Sequence, residues 1–224
     1  MAALLQIANL RVTYPGAVSP LAGVALEVAA GEAVGVFGPS GAGKSTLLRS
    51  IPRLLPAGTR IEGTIRFDGM ELLDQPESAM RRLRGRRVAY IPQAPAEALN
   101  PVLPVETQVA EVLRVHFPMA RTALRAAVME RLVRYFPENA ARIARAYPHE
   151  LSGGERQRVV ICQVLCASPS LLLADEPTSA LDSVAQLDFL RLLRQTQEQT
   201  GMSLIFVSHD RAVLRFVTTR QVSL

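Results

Sequence analysis

The sequence holds 224 residues, 49% of them hydrophobic, with 25 lysines and arginines against 20 acidic residues. That length and apolar content exclude a disordered chain and fit one large domain, or a core with a smaller inserted lobe. No uninterrupted apolar stretch approaches the ~18–20 residues needed to cross a bilayer, which excludes a membrane-spanning chain.

The opening MAALLQIANL carries no basic side chain before Arg11 and no small-residue cleavage pattern, so the expectation is a chain without a secretory leader, working in the cytoplasm. Cys162 and Cys166 lie four apart in an apolar run, lack the further ligands of a zinc site, and read as small buried apolar residues. The net charge of +5 and the run RRLRGRR at 81–87 suit either an anionic polymer or membrane surface, or a solvated arginine face paired with carboxylates.

In chain order, LLQIANLRVTY, GEAVGVFG, GTIRFDG, RRVAYIP, SLLLADE and SLIFVSH predict strands. VGVFG runs through a glycine-rich turn into the helical STLLRSI, and LLLADE runs into SALDSVAQLDFLRLLRQTQEQ, whose Leu and Phe spacing predicts an amphipathic helix. This alternation is that of an α/β sheet. Residues from about 4 to 35, with 60 to 73, alternate like antiparallel strands and predict a small β-layer beside the parallel core. Residues 94–150 are helical, rich in Arg and Ala and broken by prolines, which predicts an inserted helical lobe.

Lys44 is the sole lysine; every other basic residue is arginine. It stands in Gly38-Pro39-Ser40-Gly41-Ala42-Gly43-Lys44-Ser45, which fits G-x-x-x-x-G-K-[ST] between a predicted strand and a predicted helix. In such a loop the glycines let backbone N–H groups converge on a polyphosphate, and the helix adds its positive end. A compact ammonium reaches the β- and γ-phosphates, while the Ser45 hydroxyl can meet Mg²⁺. Leu171–Glu176 is an apolar strand that delivers two carboxylates at its C-terminal end, where α/β sheets place ligands. Asp175 fits the Mg²⁺ role, through water, and Glu176 fits a general base for an attacking water. LSGGERQ at 151–157 opens another predicted helix with a hydroxyl and two glycines, either a helix cap or a second anion site completing a nucleotide site on another subunit.

With these motifs in this order, the chain resembles the ATP-binding cassette (ABC) ATPase family over nearly its whole length, LSGGERQR being the most specific segment. The resemblance implies an α/β P-loop NTPase fold, with a RecA-like ATP-binding core and antiparallel β-subdomain over 1–93 and 151–224 and a helical subdomain over 94–150. It implies ATP and Mg²⁺ as ligands. Gly38 to Ser45, with Thr46, would cradle the nucleotide, and Tyr14 is similar to the aromatic residue that stacks on adenine. Gln93 resembles the glutamine that senses Mg²⁺ and the γ-phosphate, and His209 the switch histidine. The catalytic set is then Lys44, Gln93, Glu176 and His209, and the metal set Ser45, Gln93 and Asp175. Ser152, Gly153 and Gly154 would bind, in trans, the γ-phosphate of ATP held by an opposing subunit. Ser179-Ala180-Leu181-Asp182 resembles the loop joining two active sites, with Asp182 its working residue.

AEALNPVLPVETQVAEVL and AYPHELSGGERQR are similar to segments of the oligopeptide, dipeptide and nickel importer ATPases, and RRLRGRRVAYIPQ has its counterpart there, which favours the ion-paired face over a nucleic-acid patch. The resemblance therefore implies an ATPase at the cytoplasmic face of the cell membrane. Its partners would be integral-membrane permease subunits, a second ATPase (related more readily than identical) and, indirectly, an extracytoplasmic solute-binding protein, with no nucleic acid. Soluble ABC ATPases of DNA repair or translation form the alternative, disfavoured by the lack of a long coiled-coil insertion or a second cassette. The pattern departs from the group at Ala94, which follows Gln93 where a polar residue is usual. It departs again at FVTTRQVSL, which is expected to reach only the start of the family's last strands.

Overall fold

The computed structural model describes residues 3–16, 18–93, 95–179 and 181–224. Ala94 and Ala180, both singled out in the sequence, lie outside the described residues.

Two sheets form the frame. The first is antiparallel, built from β1 (Ala3–Thr13), β2 (Leu21–Ala29), β4 (Arg60–Phe67) and the two-residue β5 (Met70–Glu71), in the order β2-β1-β4-β5. In β1 the apolar alternation slips: Leu5 and Ile7 are buried, and so are Leu10 and Val12, which are out of phase with them. The register shifts at this point against both neighbours, and Asn9 takes φ +50°, a bulge that returns the second apolar pair to the core. Gly63 of β4 lies against it, where an added Cβ would come within 2.7 Å of the Ala8 and Asn9 carbonyl oxygens.

The second sheet is parallel and contains β3 (Ala33–Phe37), β6 (Val88–Ile91), β7 (Leu171–Asp175), β8 (Ser203–Val207) and β9 (Arg220–Ser223), in the order β6-β7-β8-β3-β9. Its central strands are buried end to end, as apolar runs without alternation require when both faces are covered. Leu171, Leu173, Ile205 and Val207 pack toward the antiparallel sheet, α1 (Lys44–Ser50) and α2 (Glu77–Leu83). Leu172, Ala174, Leu204 and Phe206 pack toward a helical layer. That layer holds α3 (Val105–His116), α4 (Arg121–Tyr135), α5 (Ala140–Arg145), α6 (Gly153–Leu165), α7 (Ser183–Thr200) and α8 (Arg211–Val217). Because α6 touches α3, α4, α7 and β6, this layer and the sheet face share one core.

Two sequence expectations shift. Residues 33–35 belong to the parallel sheet, since the Val-rich run must lead into the phosphate loop. The helix expected after LLLADE begins only at Ser183, because Asp182 caps it with hydrogen bonds of 2.9 Å from the Val184 and Ala185 N–H groups. The segment FVTTRQVSL, expected to enter a strand, ends α8 and forms β9, which pairs in parallel with β3.

Four of the five arginines in the run at 81–87 find partners within the chain. Arg81 and Arg84 reach Glu77, Arg86 stacks over Phe117, and Arg87 pairs with Asp68 at 2.9 Å while lying over Phe67. Both cysteines are buried; burial pushes the Cys166 thiol up to about 11 and raises that of Cys162 further, which fits inert packing groups.

Candidate active site

The loop at 38–45 leaves the C-terminal end of β3 and enters α1 within a few residues. Gly41 and Gly43 both take left-handed backbone, at φ +83° and +88°. At Gly43 the requirement is also spatial: a Cβ would sit 2.6 Å from Leu21 Cδ2 and 2.7 Å from the Pro20 carbonyl oxygen. The loop folds back on itself, the Ala42 N–H donating to the Pro39 carbonyl.

Lys44 is only 8% exposed. Its ammonium donates to the carbonyls of Gly38 and Pro39, at 2.9 and 3.0 Å, so the charge is folded into the loop's own concavity. Ser45 Oγ donates to Asp175 Oδ1 at 2.8 Å, joining the start of α1 to the end of β7. Asp175 is 1% exposed, and a buried carboxylate needs partners for both oxygens. The second oxygen accepts from the Tyr90 hydroxyl at 2.8 Å, with an Arg49 guanidinium nitrogen 3.8 Å away. Arg49 Nε in turn donates to the Tyr90 oxygen at 3.1 Å. Burial, opposed by Arg49 and reinforced by Asp175, pushes the Tyr90 phenol up to about 12, so it is neutral and free to donate at physiological pH.

The next residue, Glu176, has φ +45°, a costly conformation for a side chain with a Cβ, and its N–H is tied to the Val207 carbonyl. The left-handed turn sends the two adjacent carboxylates to different partners. Glu176 Oε2 lies 3.2 Å from His209 Nδ1, just past the end of β8, in a cavity of about 200 Å³ also bordered by Ser179 and Ser208. Gln93, exposed, stands two residues beyond Ile91 of β6; Ile91 pairs with Ala174, and Glu176 likewise stands two residues beyond Ala174. The Tyr14 hydroxyl is 2.9 Å from Thr46 Oγ1, holding the aromatic residue at the back of the loop.

Ser152, Gly153 and Gly154 occur elsewhere, at the start of α6. Ser152 and Glu155 form a reciprocal cap: Ser152 Oγ accepts from the Glu155 N–H at 3.2 Å, and Glu155 accepts from the Ser152 N–H at 2.9 Å while also pairing with Arg142. A Cβ at Gly153 or Gly154 would meet nothing within 4 Å, so packing within the chain does not demand glycine at either position. Gly154 and Asp182 line one cavity of about 250 Å³.

The sequence-predicted residues thus form two groups: Tyr14, the 38–46 loop, Asp175, Glu176 and His209, with Gln93 at the neighbouring strand end; and Ser152 to Gly154 with Asp182. Tyr90 and Arg49 joined the first group without being singled out beforehand. The sequence signal for them was weak, a lone aromatic residue in a buried strand and an arginine one turn into a helix.

The ABC transporter family profile matches residues 21–179, the span that contains both groups except Tyr14, Asp182 and His209. The chain belongs to the ABC transporter family. As an ABC ATPase domain it is 41% identical over 216 residues to the probable D,D-dipeptide transport ATP-binding protein DdpD of Escherichia coli, covering 94% of this chain and 66% of DdpD. It is 38% identical over 218 residues to the oligopeptide transport ATP-binding protein OppD of Mycobacterium bovis, covering 96% of this chain and 36% of OppD. The chain therefore spans between about a third and two thirds of the length of these curated relatives. Among solved structures, the dimeric post-hydrolysis state of the ATP-binding cassette MJ0796 bound to ADP and Pi superposes with a TM-score of 0.82 at 31% identity, covering 98% of this chain and 94% of that one.

The cassette also carries a groove of about 580 Å³ between the end of β6, α3 and α6, walled by Leu54, Val88, Tyr90, Val112, Val115 and Val164.

Proposed function

We propose that this cassette is the ATP-hydrolysing subunit of an ABC importer for peptides or a related small solute, nickel included, peripheral to the cytoplasmic face of the membrane. The observation that carries the reading is the grouping of the Lys44 loop, the Ser45–Asp175 bond and the Glu176–His209 pair at the ends of adjacent strands.

The chemistry follows from these groups. Lys44 exchanges two neutral carbonyl partners for the charged β- and γ-phosphates of ATP, which accept far more strongly. Glu176 takes the proton of a water whose oxygen bonds to the γ-phosphorus as the β–γ bridging bond breaks, leaving ADP and phosphate. His209, through Nδ1, orients the Glu176 carboxylate. Tyr14 stacks on the adenine, its hydroxyl held by Thr46. Mg²⁺, when bound, neutralises the developing phosphate charge, and Ser45, Asp175 and Gln93 are the residues that would hold it. The hard-oxygen pair of Ser45 and the buried Asp175 fits this ion. No cluster of three His, Cys, Asp or Glu stands among the described residues, which suits an ion that keeps waters and phosphate oxygens as its other ligands.

Residues 1–93 and 151–224 serve in this reading as the ATP-binding core and 94–150 as the helical subdomain. Ser152, Gly153 and Gly154 act on a nucleotide held by a second ATPase, related or identical; the room left at both glycines supports the close approach of another molecule. Asp182 lies beside them. The apolar groove below β6 suits a short helix of a permease. The names of DdpD and OppD favour a peptide cargo, delivered by an extracytoplasmic binding protein. No helix among the described residues is long and apolar enough to cross a membrane, which is in keeping with a separate permease.

The test is mass-spectrometric identification of what co-purifies with the tagged chain from detergent-solubilised membranes of its host, with Mg-ATP hydrolysis measured on the same preparation. Permease and binding-protein subunits with ATP turnover support the importer. Ribosomal or DNA-repair partners with turnover overturn transport and keep the ATPase.

A further inference from the structure

We propose that Tyr90, held by Arg49, is a positioning residue that fixes the rotation of the Asp175 carboxylate and thereby sets the affinity of the nucleotide site for Mg²⁺. The inference rests on the metal role given to Ser45 and Asp175 above.

Asp175 is a buried carboxylate whose two oxygens have different tasks. Oδ1 accepts from the Ser45 hydroxyl, the group that would turn to the metal. Oδ2 is held from the other side by the Tyr90 hydroxyl at 2.8 Å, with Arg49 3.8 Å away. A carboxylate fastened by one oxygen alone can turn about its Cβ–Cγ bond, a broad torsion with no deep staggered wells. The bond from Tyr90 removes that freedom and leaves Oδ1 aimed at the Ser45 position. Arg49 fixes the donor in its turn: its Nε donates to the phenol oxygen at 3.1 Å, which directs the phenol's own hydrogen to Asp175. The three residues come from three elements, α1, β6 and β7, so the arrangement belongs to the tertiary fold. Tyr90 is also part of the groove wall, and the test must therefore leave its ring in place.

Tyr90→Phe removes only the hydroxyl. The full chain is titrated with a non-hydrolysable fluorescent ATP analogue, once in EDTA and once across a MgCl₂ series, and melting of the nucleotide-free chain is followed in parallel. Loss of one hydrogen bond to a charged acceptor predicts that half-saturating Mg²⁺ rises about tenfold in Tyr90→Phe, while affinity for the metal-free analogue is unchanged. Arg49→Met should shift the Mg²⁺ requirement in the same direction by a smaller factor, and the double variant should be no worse than Tyr90→Phe alone. Should Tyr90→Phe fail to fold, Arg49→Met, altered at a side chain half open to solvent, carries the same comparison.

An unchanged Mg²⁺ requirement in both variants overturns the proposal, as does an equal loss of affinity with and without metal, which would mark Tyr90 as a packing residue. If the unaltered chain itself binds the analogue no better with Mg²⁺ than in EDTA, the metal role of Ser45 and Asp175 fails first and the proposal falls with it.

Discussion

Oε2 of Glu176 and Nδ1 of His209 lie 3.2 Å apart, at the ends of the neighbouring strands β7 and β8. The pair spans 33 residues of sequence and depends on the left-handed turn at Glu176, which separates its carboxylate from that of Asp175. Glu176→Gln keeps the shape and removes the basicity. Steady-state ATP turnover should fall by roughly 10²–10⁴-fold, the usual contribution of a general base, while equilibrium ATP binding is retained and a closed dimer accumulates. Turnover close to that of the unaltered chain would remove Glu176 from the mechanism.

Lys44 gives a second test, on binding instead of turnover. Its two carbonyl partners are exchanged for phosphate oxygens when nucleotide enters, and because the carbonyl bonds are given up the net gain is that of one charge-assisted bond, about 1.5–3 kcal/mol. Lys44→Ala should weaken ATP binding by about 10- to 100-fold in isothermal titration, and equal affinity would contradict the cradle.

Gly43 tests the scaffold of the loop. Its φ of +88° and the contacts that a Cβ would make with Leu21 and Pro20 leave no room for alanine. Gly43→Ala should destabilise the nucleotide-free chain by about 1–3 kcal/mol in chemical denaturation, whereas Gly41→Ala, where a Cβ would meet nothing within 4 Å, should cost less despite a similar φ.

Glu155 supplies a pH dependence. Burial alone would raise its carboxyl pKa, but hydrogen bonds from the Ser152 N–H and from Arg142 outweigh that and hold it below its ordinary value. A lowered folded-state pKa stabilises the chain fully above the unfolded value, about 4.3, and that stabilisation is lost as pH falls through the folded value. The stability gap between the unaltered chain and Glu155→Ala, measured by urea denaturation, should therefore be widest near neutral pH and narrow below about pH 4. A gap that stayed constant into acid would mean that the charge of Glu155 contributes nothing to the cap.

What could be read in the sequence was local. The loop at 38–45 is a contiguous pattern whose glycines and lysine explain themselves, and β7 and β8 are apolar runs too continuous to be half-exposed strands. At Ser152 a helix cap was one of two readings, and the Glu155 side chain three residues on completes it. Tyr90 and Arg49 were not legible, because their meaning arises only when β6 and α1 are laid on either side of Asp175. Nor was the bulge at Asn9, where the sequence shows only a lapse in alternation and the reason lies across the sheet at Gly63. The cap that Asp182 places on α7 was not read either, although its spacing from Val184 and Ala185 carries that signal.

The exclusive use of arginine outside the phosphate loop makes the Lys44–Ser45 peptide bond the one place in these 224 residues where a lysine-specific protease can cut. That bond lies at the first turn of α1, behind a side chain that is 8% exposed and held to two carbonyls of its own loop. Cleavage there requires the loop to open, so a single pair of fragments on a gel, one ending at residue 44 and the other beginning at 45, reports how often the nucleotide cradle unfolds locally. Bound nucleotide would slow their appearance in proportion to its hold on the loop.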